Sequence, residues 1–161
     1  LIKCVNDKYA ELKDYQFHFV GIRPEDIEIR CAANCHLEGY LYKGNEDERK
    51  KYYDLFACAK VCINTNPDFV SIAGLIEAGY MATPAIVSRH YQTERCYGEN
   101  QEIVRYSGNN ADEIYSNLRN ILDMNEDGYI NTCKKCHEYF SRKTWQSVIQ
   151  SWIDTDFERK R

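Results

Sequence analysis

The strongest constraint on this chain is the alternation of short, unpatterned apolar runs with stretches of helical periodicity. Val61-Cys-Ile-Asn64, Ala85-Ile-Val-Ser88 and Glu102-Ile-Val-Arg-Tyr106 have strand length and no polar face. Between and after them, Ser71–Met81 places Ile72, Leu75, Ile76 and Gly79 at helical spacing, with Pro84 as a stop, and Ala111–Leu122, Glu126–Phe140 and Thr144–Ile153 read as helices. Upstream, Leu1, Val5, Tyr9 and Leu12 predict a helix over residues 1–13, and Tyr15-Gln-Phe-His-Phe-Val20 alternates as a strand before Gly21. Pro24 opens an acidic turn, His36–Leu41 gives a further strand, and the loop Gly44–Glu48 leads into a helix over Arg49–Lys60 with Tyr53, Phe56 and Ala57 on one face. Strands without a polar face, set between amphipathic helices, imply a parallel sheet covered on both sides, the doubly wound α/β architecture.

At 161 residues the chain has the length of one ordinary domain. Its aromatic share of 13% needs a core to hide in, which excludes a disordered class. A formal charge of −4 provides no long-range attraction for phosphate backbones, so nucleic acid is not an expected partner and any anion site must be local. No apolar run is long enough for a bilayer, and LIKCVNDKYA lacks the order of a signal peptide, so a cytoplasmic setting is expected, with peripheral contact to a membrane compatible. The chain opens on Leu1, which leaves room for sequence upstream. Of the eight cysteines, Cys4, Cys58 and Cys62 lie among apolar residues and read as small buried hydrophobes. The sharper alternative is zinc held by Cys133, Cys136 and His137 with Cys31, Cys35 or His36, a weak signal because no second CxxC answers the first.

In a doubly wound sheet, ligands sit outside the carboxyl ends of the strands, which directs attention to the loops after Gly21, Asn64 and Ser88. The middle loop, Thr65-Asn-Pro-Asp-Phe-Val-Ser71, opens a helix whose first turns carry Ser71, Ala73 and Gly74. Small side chains and free helix amides there suit a diphosphate. Glu77 is the only charged residue from Phe69 through Ser88, and a carboxylate in that apolar company needs a hydrogen-bonding partner. Two readings stand: it accepts hydrogen bonds from the sugar hydroxyls of a ligand, or it pairs with a neighbouring Lys, Arg or backbone amide, or lies on a solvated helix edge.

Tyr52-Tyr-Asp-Leu-Phe-Ala-Cys-Ala-Lys-Val-Cys-Ile-Asn-Thr-Asn-Pro67, followed by Gly74-Leu-Ile-Glu-Ala-Gly-Tyr-Met-Ala-Thr-Pro-Ala-Ile-Val-Ser88, resembles the core signature of family 4 glycosyltransferases of the GT-B type. Phe17–Gly21 is similar to the strand and glycine before the family's base-binding region, His36–Tyr40 to its "V-x-F-x-G" strand, and Phe140–Trp145 to its closing "F-S-W" segment. The likeness runs in order along about nine tenths of the chain. It implies a Rossmann-like three-layer half of a GT-B fold: residues 1–161 as a single nucleotide-sugar-binding C-terminal domain, lacking its first strand and the N-terminal acceptor lobe. The family's first strand, whose loop carries an Arg and a Lys for the donor phosphates, would precede Leu1.

The implied activity is retaining, hexosyltransferase-type transfer from a UDP- or GDP-sugar to a glycan or lipid-linked acceptor, with no cofactor or metal, and inactive in this domain alone because acceptor positioning and water exclusion need both lobes. Glu77 matches the glutamate that holds the donor's ribose. Phe69, Val70, Ser71, Ile72 and Ala73 would cradle phosphate and sugar through backbone amides, Gly21 would lie near the base, and Arg89 and His90 would face the diphosphate. The departures are Phe69 at the place of the family's first glutamate, with Asp68 the nearest carboxylate, so that no catalytic residue is assigned; Ala82 in place of a usual glycine; and Arg89–Arg95 in place of a "GG-x-P-E" loop. A rival from another class is a non-catalytic glycosyltransferase-like module for interaction or regulation. An unrelated flavodoxin- or receiver-like domain is weakened by the lack of an acidic cluster at strand ends, a GxGxxG or a P-loop.

Overall fold

The apolar runs do become strands, but they are divided between two short sheets. The computed structural model, which describes residues 1–66, 71–144 and 146, is a mixed α/β fold. Helices α1 (Ile2–Asp7) and α2 (Tyr9–Leu12) precede β1 (Phe17–Val20). A 3-10 turn at Pro24–Asp26 leads to β2 (Cys35–Gly39), then α3 (Glu46–Cys58), β3 (Cys62–Asn64), α4 (Ile72–Tyr80) and β4 (Ala85–Val87). After α5 (Tyr91–Tyr97) come β5 (Val104–Tyr106), α6 (Ala111–Leu122) and α7 (Glu126–Ser141). In one sheet β1 pairs with β2, Phe17 opposite Cys35. In the other β4 lies between β3 and β5, with Ala85 opposite both Cys62 and Val104. Every pairing among the described residues is parallel.

Strand β4 is buried along its whole length because it carries apolar side chains on both faces. Ala85 and Val87 pack with Leu75 of α4, Tyr97 of α5, and Cys136 and Phe140 of α7. Ile86 turns to the opposite cluster, with Val5, Leu12, Phe17, Phe19, Leu118 and Ile121. Helical residues thus contribute to the apolar clusters on both sides of β4. Among the described residues, no helix is long and apolar enough to cross a membrane.

Local chemistry sets the helix ends. Asn45 accepts from the amides of Asp47 and Glu48, which starts α3 at Glu46, earlier than the expected Arg49. Asn110 and Asn125 cap α6 and α7 in the same way. Helix α4 ends in a Schellman motif: the Thr83 amide bonds to the Ala78 carbonyl and the Ala82 amide to that of Gly79. Ala82 consequently sits at φ 65°, in the left-handed region. This is the position where the resemblance expects glycine, and the geometry supplies the reason.

Several expectations need correction. The helix over 1–13 breaks at Lys8 (φ −109°, ψ 22°), giving two short helices. Ala57 and Cys58 are exposed, so Cys58 is no core thiol, whereas Cys4 is buried. Arg89–Arg95 is not simply a loop: from Tyr91 it forms α5, capped by His90 and burying Thr93, Cys96 and Tyr97 at helical spacing. The helix expected over Thr144–Ile153 falls almost wholly outside the described residues.

Candidate functional site

At the carboxyl ends of the parallel strands, neighbouring strands are tied in pairs, β1 to β2 and β3 to β4. Gly21, at the end of β1, has φ 87°, a conformation that suits glycine, and its amide donates to the Gly39 carbonyl at the end of β2. After β3 and β4, the Ser88 hydroxyl donates to the Asn66 carbonyl at 3.0 Å, and the Thr93 hydroxyl to the Ser88 carbonyl at 2.7 Å. Ser88 and Thr93 are buried with these bonds made. The rims of two neighbouring strands are thereby fixed relative to each other.

Glu77 lies in the second turn of α4 with a partly exposed side chain. The Lys43 ammonium, from the loop between β2 and α3, lies 2.6 Å from both of its oxygens. Oε2 also accepts from the Tyr52 hydroxyl at 2.8 Å, and Oε1 from Tyr53 at 3.2 Å. Lys43 stands 4.2 Å from the centre of the Tyr52 ring, which adds cation–π attraction. Burial first, and the Glu77 acceptor second, raise the Tyr52 phenol well above its ordinary pKa and keep it a donor. Gly74 leaves room for the Tyr52 hydroxyl, since a Cβ there would stand a tight 3.3 Å from its oxygen. The carboxylate thus holds one ammonium and two phenols at once, a charge-assisted cluster reached from three segments.

The other expected residues are placed differently. Ser71 is the N-cap of α4 but makes no side-chain capping bond, and Ile72 and Ala73 form its first turn. Asp68, Phe69 and Val70 lie outside the described residues. Arg89 donates to Glu94 at 2.9 Å and to Glu99 at 3.3 Å and lies over the Tyr106 ring, so its charge is already engaged. The His90 Nδ1 accepts from the Gln92 amide as the cap of α5. Neither joins the Glu77 cluster.

Residues of the zinc alternative make other contacts. The Cys136 thiol donates to the Thr83 carbonyl at 3.3 Å, and burial pushes its pKa up to about 12. His137 Nδ1 lies 2.5 Å from the Tyr80 carbonyl oxygen. Among the described residues, no group of three or more His, Cys, Asp or Glu side chains is arranged to hold a metal ion.

Lys43, Tyr52 and Tyr53 carry the chemistry that the sequence reading missed at this site. The two tyrosines lie in the stretch expected to be helical, where the periodicity assigns Tyr53 alone to the apolar face. A lysine 34 residues before Glu77 offers no local signal; the demand that Glu77 have a partner was the one available clue. Comparison with protein family models, curated proteins and solved structures gave no match.

Proposed function

We propose that this chain is the donor-binding half of a retaining GT-B glycosyltransferase, built on a doubly wound three-layer sheet and taking a nucleotide-diphosphate sugar at the carboxyl ends of its strands. The observation that carries the reading is the Lys43–Glu77 cluster on α4, where an ammonium and an acceptor carboxylate lie together. Glu77 accepts the ribose hydroxyls in place of the tyrosine phenols, and Lys43 turns to the diphosphate. The amides of residues 69–73 complete the phosphate cradle, and Gly21 leaves space for the base. The domain's contribution to transfer is electrostatic: it stabilises the diphosphate as it leaves with the charge of the broken glycosidic bond. The acceptor, a glycan or lipid-linked sugar, is supplied by an N-terminal lobe on the cytoplasmic side, and without that lobe the chain does not turn over.

Calorimetric titration of UDP, GDP and their sugar conjugates tests this. One nucleotide should bind selectively, and Glu77→Gln should weaken it roughly 10- to 100-fold, the worth of hydrogen bonds to a charged acceptor. Lys43→Ala should weaken the diphosphate more than the nucleoside. Equal affinity of wild type and Glu77→Gln for every nucleotide would remove the reading. The same cluster favours a second reading, a non-catalytic module, because Glu77 already has its lone pairs occupied. In that case Glu77→Gln lowers stability and leaves nucleotide binding absent throughout.

A further inference from the structure

Two thiols flank the turn that delivers the chain into β2. The Cys35 amide donates to the Ala32 carbonyl at 3.0 Å, which closes a turn over Ala33 and Asn34. Across it the side chains of Cys31 and Cys35 lie within hydrogen-bonding reach of one another. Both are partly exposed, whereas Cys4, Cys96 and Cys136 are buried. Solvent and small solutes therefore reach both members of the pair.

Side-chain amides hold each cysteine in place. Asn6 of α1 brackets Cys31: its Nδ2 donates to the Arg30 carbonyl and its Oδ1 accepts from the Ala32 amide, both at 2.8 Å. Asn34, buried beside Cys35, donates from Nδ2 to the carbonyls of Leu12 and Tyr15, both at 2.9 Å. Its own carbonyl accepts from the Phe17 amide at 2.9 Å, at the start of the pairing between β1 and β2. Moving either cysteine breaks bonds to α1, α2 or β1. The two sulfurs consequently keep their relation, and each presents itself to the other at a high effective concentration.

We propose that Cys31 and Cys35 form a reversible disulfide site that exchanges with low-molecular-weight disulfides of the glutathione type. The Cys31 thiolate attacks one sulfur of the small disulfide, whose S–S bond breaks and releases one small thiolate. The Cys35 thiolate then attacks the Cys31 sulfur, forms the internal bond and expels the second small thiolate. The protons of the two protein thiols end on the two released thiols, so the protein is oxidised by two electrons and the small disulfide is reduced by two. Burial first, and the charge of Cys31 second, push the Cys35 thiol above its ordinary pKa. Capping Cys31 removes the second of these, which leaves the resolving step to Cys35. The closed bond fastens the stretch held by Asn6 to the first residue of β2. It does not depend on nucleotide binding, and its test uses none.

The reduced full chain is equilibrated with mixtures of reduced and oxidised glutathione, quenched in acid, alkylated and digested with trypsin for mass spectrometry. Cleavage after Arg30 and Lys43 releases both cysteines, and no other, in residues 31–43. That peptide should appear unalkylated and lighter by two hydrogen atoms than the dithiol. At fixed reduced glutathione, half-conversion should need about tenfold less oxidised glutathione in the folded chain than in urea, where the spacing persists and the anchors are gone. By linkage, the disulfide form should fold with an equilibrium constant larger by the same factor. Cys35→Ser should trap the glutathione adduct on Cys31, while Cys31→Ser should be capped at Cys35 about tenfold more slowly. The comparison with urea uses the wild-type chain alone, so it stands even where a serine variant does not fold. Equal half-conversion in the folded and unfolded chain, separate adducts on both cysteines, faster capping of Cys35 than of Cys31, or a bond from either to a third cysteine would overturn the proposal.

Discussion

The half built on β3, β4 and β5 and the half built on β1 and β2 solve the same packing problem to different degrees. In the first, α7 lies so close to α4 that a Cβ on Gly79 would land inside the Phe140 ring, and Phe140 in turn makes edge contacts with Tyr97 and Tyr139. In the second, β1 alternates buried and exposed residues, β2 has none fully buried, and α3 is held mainly by polar links: Lys51 to Glu38, Tyr52 and Tyr53 to Glu77, and the Thr83 hydroxyl to the Phe56 carbonyl. Interdigitated packing fixes the first half by itself. In the second, Phe17 and Phe19 anchor β1 in the core while polar ties position α3.

The comparison breaks most easily at Gly79. Gly79→Ala should cost about 3 kcal/mol of unfolding free energy, because Phe140 is packed on both flanks and has no room to yield. Leu55→Ala in α3 should cost less than about 1 kcal/mol, since Leu55 is only partly buried. Urea denaturation of both variants decides; equal losses would mean that α3 is as tightly integrated as α4. A smaller effect of opposite sign is expected at Ala82. Its φ of 65° is costly for an L-residue, so Ala82→Gly should raise the urea midpoint by the equivalent of about 1 kcal/mol, and a lower midpoint would contradict the Schellman assignment.

The smallest effect tests the polar half. Glu38 bonds to Lys51 at 2.5 Å and to His18 at 2.6 Å, and these two contacts, Lys51 first, hold its carboxyl below the usual value. A depressed carboxylate pKa contributes stability that is fully present above the unfolded value of about 4.5 and lost as pH falls through the folded one. Glu38→Gln should therefore flatten the acid limb of the stability profile below about pH 4.5, by less than about 1 kcal/mol. An unchanged acid limb would show that the triad contributes nothing.

The two halves also differ in how far the sequence revealed them. Where apolar runs lacked a polar face, the strand positions and the order of elements were legible, and the sequence pattern over Ala111–Leu122 matches α6 end to end. Helix α5 escaped because its buried face includes Thr93, whose hydroxyl is satisfied by the Ser88 and His90 carbonyls and so behaves as core. The demand that Glu77 find a partner followed from its apolar neighbours, but the partner's identity is a tertiary fact: Lys43 reaches it only through the fold. The division into two sheets was equally invisible, because a strand's periodicity says which faces are buried and nothing about which edges are paired.

The contact between Gly79 and Phe140 also sets a schedule for the nascent chain. Some sixty residues of synthesis separate them, and at about 5–20 residues per second the ring arrives roughly 3–12 s after the glycine face has been made. During that interval α4 presents Leu75 and its small-residue face with no ring to cover it, a stage that ends when α7 docks.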